Sequence, residues 1–209
     1  MEKQKKMSVE ELMKTDTPYC SRHGQIDPSL QARAKELVWE YNMSRPSEGE
    51  KRKRLLKQLL GSCTELTFIE PPFHCDYGFN IHFEGMALLN YNCMMLDTSP
   101  IHIGADVFIG PGCCLTCAGH ALDPQQRKEG IGDSAPIRLE DGVWLGANCT
   151  VCAGVTIGAG SVIGAGSVVT KDIPAGVIAV GVPCRVLRPI TEQDRMELSC
   201  PDGKNYLFK

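Results

Sequence analysis

Five histidines are the side chains of this chain best suited to acid–base chemistry near neutral pH: His23, His74, His82, His102 and His120. An imidazole exchanges its proton near pH ~6.5, so it can act as a general base. His120 differs from the others because it follows Gly119 at the start of a polar stretch, 117–135, that interrupts a regular pattern. Long loops inside compact repeats are more often functional than accidental. His120 is therefore the candidate base, and a solvated loop histidine is the alternative.

Metal ligands and reactive thiols are the other possible sources of chemistry. A three-histidine metal site needs a close pair of ligands, whereas His82, His102 and His120 are 20 and 18 residues apart. We therefore predict no metal site. The 11 cysteines show no metal-type pairing, and we expect mostly free thiols in a reducing cytoplasm. A covalent route through the cysteine-rich stretch 113–117 would need a lowered thiol pKa.

An aliphatic residue recurs every six positions through the second half of the chain, and this period predicts the framework that positions these side chains. The repeats run from Ile103 to Leu115 and resume from Leu139 to Val169. A period of six fits a prism with one short strand and one tight turn per repeat, and three repeats close one triangular coil. With a two-residue slip before Ile103, the same step extends back through Met95, Leu89, Phe83 and Tyr77.

The pattern divides the chain into three segments: a helical segment 1–62, a repeat domain 63–188 with a protruding loop 117–136, and a tail 189–209. Asp27 is typical of a helix N-cap and Pro28 of the first helical position. A second helix is predicted from near Pro46 to Gly61, where glycine favours a C-terminal stop.

Composition excludes several classes of function. The chain has 209 residues and a formal net charge of −3, so it lacks the global basic field that nucleic acids or anionic membranes attract. No stretch approaches the roughly 18 consecutive apolar residues of a membrane span. The N-terminus is basic but has no apolar run behind it, so we do not expect a signal peptide.

Four blocks of sequence carry a specific resemblance: PPFHCDYGFNIH, LNYNCMMLD, TCAGHALDPQQRK and GSVVTKDIPAGVIAVGVPCRVLR. Together and in this order they resemble the maltose and galactoside O-acetyltransferases, within the hexapeptide-repeat acyltransferase superfamily. The resemblance implies a mainly β fold, a left-handed parallel β-helix with N-terminal α-helices. It also implies a homotrimer that transfers acetyl from acetyl-CoA to a sugar hydroxyl.

The resemblance assigns roles to residues at the reacting centre. His120 matches the catalytic base and Asn90 matches a residue that binds near the thioester and acts as an oxyanion donor; a turn-forming asparagine is the alternative. Asp76, Asp97 and Asn90 are implied to contact the acceptor. Thr98 stands where the galactoside enzymes have a further sugar-binding aspartate, which argues against a strict galactoside preference.

The resemblance also assigns the binding of acetyl-CoA. Lys171, Arg185 and Arg188 match positions near the nucleotide end of the cofactor, where arginine grips phosphate bidentately and lysine acts as a point charge. Small residues are implied to let the pantetheine arm lie along the prism, at Ala147, Ala165 and Thr170.

Three functions remain open from the sequence. The favoured one is direct acetyl transfer to a maltose-, glucose- or galactoside-like sugar in a ternary complex, with no metal. The same fold could instead acetylate serine or an antibiotic, or it could be a non-catalytic β-helix scaffold. A scaffold would not need His120, Asn90 and the basic residues near the C-terminus together, so their joint presence favours the enzyme.

Overall fold

The computed structural model describes residues 7–196 of the chain. The helices are α1 (Val9–Leu12), α2 (Pro28–Asn42), α3 (Gly49–Leu59) and α4 (Pro124–Lys128). The strands are β1 (Tyr19–Arg22), β2 (Thr67–Ile69), β3 (Phe73–Cys75), β4 (Ile81–Phe83), β5 (Ala87–Leu89), β6 (Cys93–Leu96), β7 (Ile101–Ile103), β8 (Val107–Ile109), β9 (Cys114–Thr116), β10 (Ile131–Ser134), β11 (Ile137–Leu139), β12 (Trp144–Leu145), β13 (Thr150–Val151), β14 (Thr156–Ile157), β15 (Val162–Ile163), β16 (Val168–Val169), β17 (Val177–Val180) and β18 (Arg185–Pro189). Single 3₁₀ turns follow β1 at His23–Gln25 and β18 at Glu192–Asp194.

Helices α2 and α3 cover the first coil of the prism. The Asp27 carboxylate accepts the Ser29 N–H at 2.9 Å, which confirms the predicted N-cap. Helix α2 buries Ala34, Val38 and Tyr41 against the core. Helix α3 begins at Gly49, three residues after the predicted start. Within residues 7–196, no helix combines the length and the apolar character needed to cross a membrane.

Three parallel sheets form the sides of the prism. The first face runs β2-β5-β8-β12-β15-β17 and ends in the antiparallel strand β18; the second runs β3-β6-β9-β13-β16; the third runs β4-β7-β11-β14. The chain visits the three faces in turn, so each set of three strands makes one coil. The predicted fold class, a mainly β parallel β-helix with N-terminal helices, is confirmed.

The inward residues of the strands form the core. On the first face the stacked column is fully or almost fully buried, at Leu89, Ile109, Leu145, Ile163 and Ala179. The small or β-branched residues that the six-residue step placed at the corners are buried as well, at Val107, Val143, Cys149, Val155, Ser161 and Ser167. The sequence period therefore reports the inward-facing positions directly.

In the first three coils, one edge of the prism is longer than the other two. We call it the second edge: the corner where the chain passes from the second face to the third. Consecutive inward residues on either side are Cys75 and Phe83 in the first coil and Met95 and Ile103 in the second, and loop 117–136 fills the same corner in the third. The two-residue slip predicted before Ile103 is therefore present in the second coil, the first coil has the same slip, and the third coil carries the long loop in its place.

The prediction for Tyr77 was wrong because of this insertion. Tyr77 does not occupy the inward strand position that the six-residue step predicted. Cys75 is the buried inward residue, and Tyr77 is half-buried in the extended corner that follows. Two extra residues in the corner shift the register, and an aliphatic period cannot reveal an insertion that falls outside the strands.

A strand was missed in the N-terminal segment, which the sequence indicated to be helical. Strand β1 pairs antiparallel with β10 of the protruding loop, from Tyr19 opposite Ser134 to Arg22 opposite Ile131. The loop therefore contains the short helix α4 and the edge strand β10, which pairs with the N-terminal strand β1. The division at residues 62 and 188 stays a prediction, and the tail beyond residue 196 lies outside the described residues.

Candidate active site

The second edge holds His120, Asp76 and Asp97. Asp97 is 0% exposed, and its Oδ1 accepts the backbone N–H groups of Asp76 at 3.0 Å and Tyr77 at 2.9 Å. Its Oδ2 accepts the N–H of Asn80 at 3.3 Å. Burial raises the pKa of Asp97 to about 7, against the lowering effect of the Tyr77 and Asn80 amides. The geometry therefore makes Asp97 the anchor of the corner that carries Asp76, and its contact with the acceptor stays a prediction.

Asp76 is a half-buried carboxylate that directly follows β3, in the first coil of this edge. Its Oδ1 accepts a hydrogen bond from Gln31 Nε2 at 3.1 Å, so helix α2 reaches the site. Burial raises the pKa of Asp76, while Gln31 and the nearby Lys35 lower it. Gln31 was not singled out by the sequence, because a single glutamine within a helix carries no motif.

His120 lies on a short extended segment beside β10. The flanking backbone is fixed by Gly119 N–H donating to Asp133 O at 2.9 Å and by Ala121 N–H donating to Ile131 O at 3.1 Å. The ring is exposed, and its Nδ1 lies 3.3 Å from Nε2 of His23. His23 comes from the turn after β1, 97 residues away in sequence, and no local pattern pointed to it.

Hydroxyl groups fasten the base of the loop to the second coil. Ser134 Oγ lies 2.6 Å from Thr98 Oγ1 and 2.7 Å from Ser99 Oγ, and the Tyr19 hydroxyl donates to the Thr98 carbonyl at 2.7 Å. Thr98, which the resemblance places at an acceptor position, is therefore engaged in holding the loop and the N-terminal strand together.

Asn90 lies on a different edge, where the chain passes from the first face to the second; we call this the first edge. Its N–H donates to Ile109 O at 2.9 Å, and its side-chain Oδ1 accepts the N–H of Tyr91 at 2.8 Å. The oxygen is occupied, which leaves the NH₂ end as the donor. Asn92, in the same corner, has a positive φ of 60° and serves the turn.

Glycines continue the first edge above Asn90 and keep it narrow. Gly110 and Gly146 occupy the same register in the next two coils. A Cβ at Gly110 would lie 2.7 Å from Ala147 N, and one at Gly146 would lie 2.6 Å from Ala165 N. Larger residues do not fit, so the predicted pantetheine positions Ala147 and Ala165 lie on a smooth strip of backbone and small side chains.

The other predicted acetyl-CoA contacts divide between the two edges. Arg185 pairs with Val180 at the top of the first edge, and its Nη1 donates to the Cys184 carbonyl at 2.7 Å. Thr170 and Lys171 are exposed at the second edge, directly after β16. The six proposed cofactor contacts therefore do not form one cluster on the single chain.

Arg188 is engaged by the protein itself. Its two terminal nitrogens donate to the two oxygens of Asp194 at 2.7 and 2.6 Å, a bidentate pair. Arg188 holds the pKa of Asp194 well below its usual range. Asp194 is a partner that the sequence did not indicate, and it competes with any phosphate for this guanidinium.

The thiols near the loop have environments that suppress ionisation. A hydrogen bond with Cys149 and burial raise the pKa of Cys113, burial raises that of Cys114, and burial raises that of Cys117 to about 12. Because the thiolate is the nucleophile, a covalent route through these cysteines is disfavoured. The ten cysteines among residues 7–196 are free thiols.

The remaining histidines lie away from both edges. His82 and His102 stack at 5.4 Å on the third face, and His102 Nε2 lies 2.7 Å from Asp16 Oδ1. His74 is exposed on the second face. Across residues 7–196, no three His, Cys, Asp or Glu side chains are grouped so that they could hold a metal ion.

A stacked parallel β-prism with glycine-lined edges and an inserted histidine loop defines the class of hexapeptide-repeat acyltransferases, and comparison with known proteins agrees. Residues 136–171 match the bacterial transferase hexapeptide (six repeats) family. Residues 29–64, which include most of α2 and all of α3, match the maltose acetyltransferase hexapeptide capping motif.

Individual relatives narrow the class. Galactoside O-acetyltransferase of Escherichia coli K12 is 42% identical over 182 residues, covering 87% of this chain and 85% of that protein. The structure of a maltose O-acetyltransferase from Clostridium difficile 630 superposes with a TM-score of 0.81 at 38% identity, covering 89% and 99% of the two chains. A galactoside acetyltransferase in complex with coenzyme A gives 0.79 at 39% identity, covering 86% and 90%. The chain belongs to the maltose and galactoside O-acetyltransferase family and is an acetyltransferase.

Proposed function

We propose that this protein transfers the acetyl group of acetyl-CoA to a hydroxyl group of a sugar, in a ternary complex without a covalent enzyme intermediate. The observation that carries the proposal is the composition of the two edges. The first edge has an amide donor, a narrow strip and Arg185, which together suit the thioester and the phosphates of acetyl-CoA. The second edge has an imidazole, a carboxylate and Lys171, which suit an alcohol and a further phosphate.

The chemistry follows from these groups. His120 removes the proton of the acceptor hydroxyl as its oxygen attacks the thioester carbonyl, which is the step an alcohol cannot manage unaided at neutral pH. The carbonyl oxygen gains negative charge, and the NH₂ group of Asn90 donates to it; one such donor is worth about 3 kcal/mol of barrier. The C–S bond then breaks, and the His120 imidazolium returns the proton to the departing thiolate sulfur.

Each active site must combine the first edge of one subunit with the second edge of another. They lie at opposite ends of the second face, whose strands of three to four residues set them on the order of 10 Å apart. Donor and base must both lie within hydrogen-bonding reach of one reacting group. Placing the first edge of one copy against the second edge of the next brings Asn90 and His120 to one site, and a closed ring of three copies makes three such sites.

The first face is apolar on its outer side, as expected of a surface that is buried when the ring forms. Its outward residues form a continuous apolar column, made of Phe68, Leu88, Phe108, Trp144, Val162 and Ile178. Phe68, Phe108 and Trp144 are 49%, 44% and 53% exposed in the single chain. The third face, with His82, His102 and Arg138, is polar. A large exposed apolar patch marks an interaction surface, which supports a homotrimer.

The acceptor and the compartment belong to the same proposal. The relatives named for galactoside and maltose support a sugar, and Asp76 supplies a carboxylate of the kind that binds sugar hydroxyls. Free thiols suit a reducing cytoplasm. The test is consumption of acetyl-CoA with glucose, maltose, galactosides, serine and chloramphenicol in parallel. Turnover with a sugar supports the proposal; turnover only with serine or chloramphenicol, or with none, contradicts it.

A further inference from the structure

His23 and His120 form a pair that the mechanism above does not use. His23 Nε2 lies 3.3 Å from His120 Nδ1, and the ring centroids are 5.1 Å apart with an interplanar angle of 62°. This is a hydrogen-bonded, edge-on contact rather than stacking. The contact therefore occupies one of the two ring nitrogens of the proposed base and leaves Nε2 for the acceptor.

The backbone is arranged to deliver this contact. Strand β10 has β1 on one side and the segment Gly119–Ala121 on the other. His23 follows β1 directly, and its N–H donates to Gly130 O at 2.9 Å. Its ring reaches His120 across Gly132, where a Cβ would lie 3.3 Å from His23 Nε2 and 2.6 Å from Gly119 O. The glycine leaves the space through which the two rings meet.

The direction of the hydrogen bond decides whether His120 can be a base. If His23 donates, His120 carries its proton on Nε2 and cannot accept another there. If His120 donates from Nδ1, its Nε2 has a free electron pair directed away from His23. When Nε2 takes the acceptor's proton, the resulting imidazolium still donates from Nδ1, so the same bond stabilises its charge. A carboxylate plays this part in the Ser-His-Asp triad.

We propose that His23 is a positioning residue for the proposed reaction: it accepts a hydrogen bond from Nδ1–H of His120 and so selects the tautomer in which Nε2 is the proton acceptor. This inference rests on the proposed function. The N-terminal strand then has a catalytic purpose, since it carries a side chain to the loop that no residue of the loop itself supplies at this atom.

The test compares three variants. His23→Leu removes the acceptor and should lower kcat about 10- to 100-fold, the usual effect of losing such a supporting bond. The KM for acetyl-CoA should change less than about twofold, because the lost bond matters only when the proton moves. His23→Gln retains an oxygen that accepts a hydrogen bond and should recover at least part of the lost rate.

Arg22→Ala is the matched control for docking of the N-terminal strand. It removes the 3.0 Å ion pair with Glu129 on the same segment and touches neither histidine. Its kcat should stay near that of the unchanged protein. An equal loss in Arg22→Ala and His23→Leu would overturn the proposal, because the effect would then come from docking alone. A His23→Leu enzyme with unaltered kcat would overturn it too.

The tautomer provides a readout that does not depend on turnover. Nitrogen-15 NMR at mildly alkaline pH should show the neutral His120 ring protonated at Nδ1, and His23→Leu should change that distribution. A His120 protonated mainly at Nε2 in the unchanged protein would refute the inference. Failure of the proposed function would appear separately, as absence of acetyl transfer to every acceptor by the unchanged protein.

Discussion

Replacing Asp97 by Asn tests whether this carboxylate anchors the second edge. Asn offers one acceptor oxygen, which can replace Oδ1 toward Asp76 and Tyr77, but its NH₂ group then faces the N–H of Asn80. A buried N–H without an acceptor costs about 1–3 kcal/mol, and we expect the free energy of unfolding to fall by that amount. Asp97→Ala leaves all three amides without an acceptor and should cost at least about 3 kcal/mol.

Equilibrium urea unfolding, followed at several protein concentrations to account for assembly, measures this loss. Asp76→Asn is the matched control, because it changes a half-buried carboxylate at the same corner and retains the oxygen that accepts from Gln31. It should cost less than about 1 kcal/mol. If Asp97→Asn is as stable as Asp76→Asn but has a raised acceptor KM, Asp97 contacts the acceptor and the anchoring argument is wrong.

Three further predictions concern the reaction and the assembly. His120→Ala should lower kcat by roughly 10²–10⁴ while circular dichroism and CoA binding stay unchanged, and undiminished turnover would exclude it as the base. Lys171→Ala and Arg185→Ala should raise the KM for acetyl-CoA more than that for the sugar, by a factor that shrinks as the salt concentration rises. Arg188→Ala should act more weakly, because Asp194 already binds Arg188. A selective rise in the sugar KM would instead assign these residues to the acceptor. Trp144→Lys should weaken trimer formation in light scattering, since it places a charge in the apolar column of the first face; an unaltered trimer would move the interface elsewhere.

The repeats could be predicted from the sequence because one inward aliphatic side chain per strand is a requirement of the prism. Inward residues such as Leu89 and Ile163 therefore report their own burial. The corners could not be predicted in the same way. Asp97 and Tyr77 lie in an extended corner, where hydrogen bonds to backbone amides decide the conformation and no period constrains side-chain type.

The candidate site shows the same division between local and non-local information. His120 could be selected as a candidate because it opens a polar interruption of the repeats. Its contact with His23 could not, because the two histidines are 97 residues apart in sequence and the pairing of β1 with β10 is a property of the folded chain. The separation of Asn90 from His120 also depends on which edge each corner occupies, and that is a property of the folded coil.

Complementation between two inactive variants tests most directly whether each active site is shared between two subunits. Asn90→Ala and His120→Ala subunits would be denatured, mixed in equal amounts and refolded into mixed trimers. If each site takes Asn90 from one subunit and His120 from the next, random assembly restores about a quarter of the sites, and the mixture should have about a quarter of the unchanged activity. If both residues act within one subunit, no intact site can form. A mixture as inactive as either variant alone would therefore contradict an active site shared between subunits.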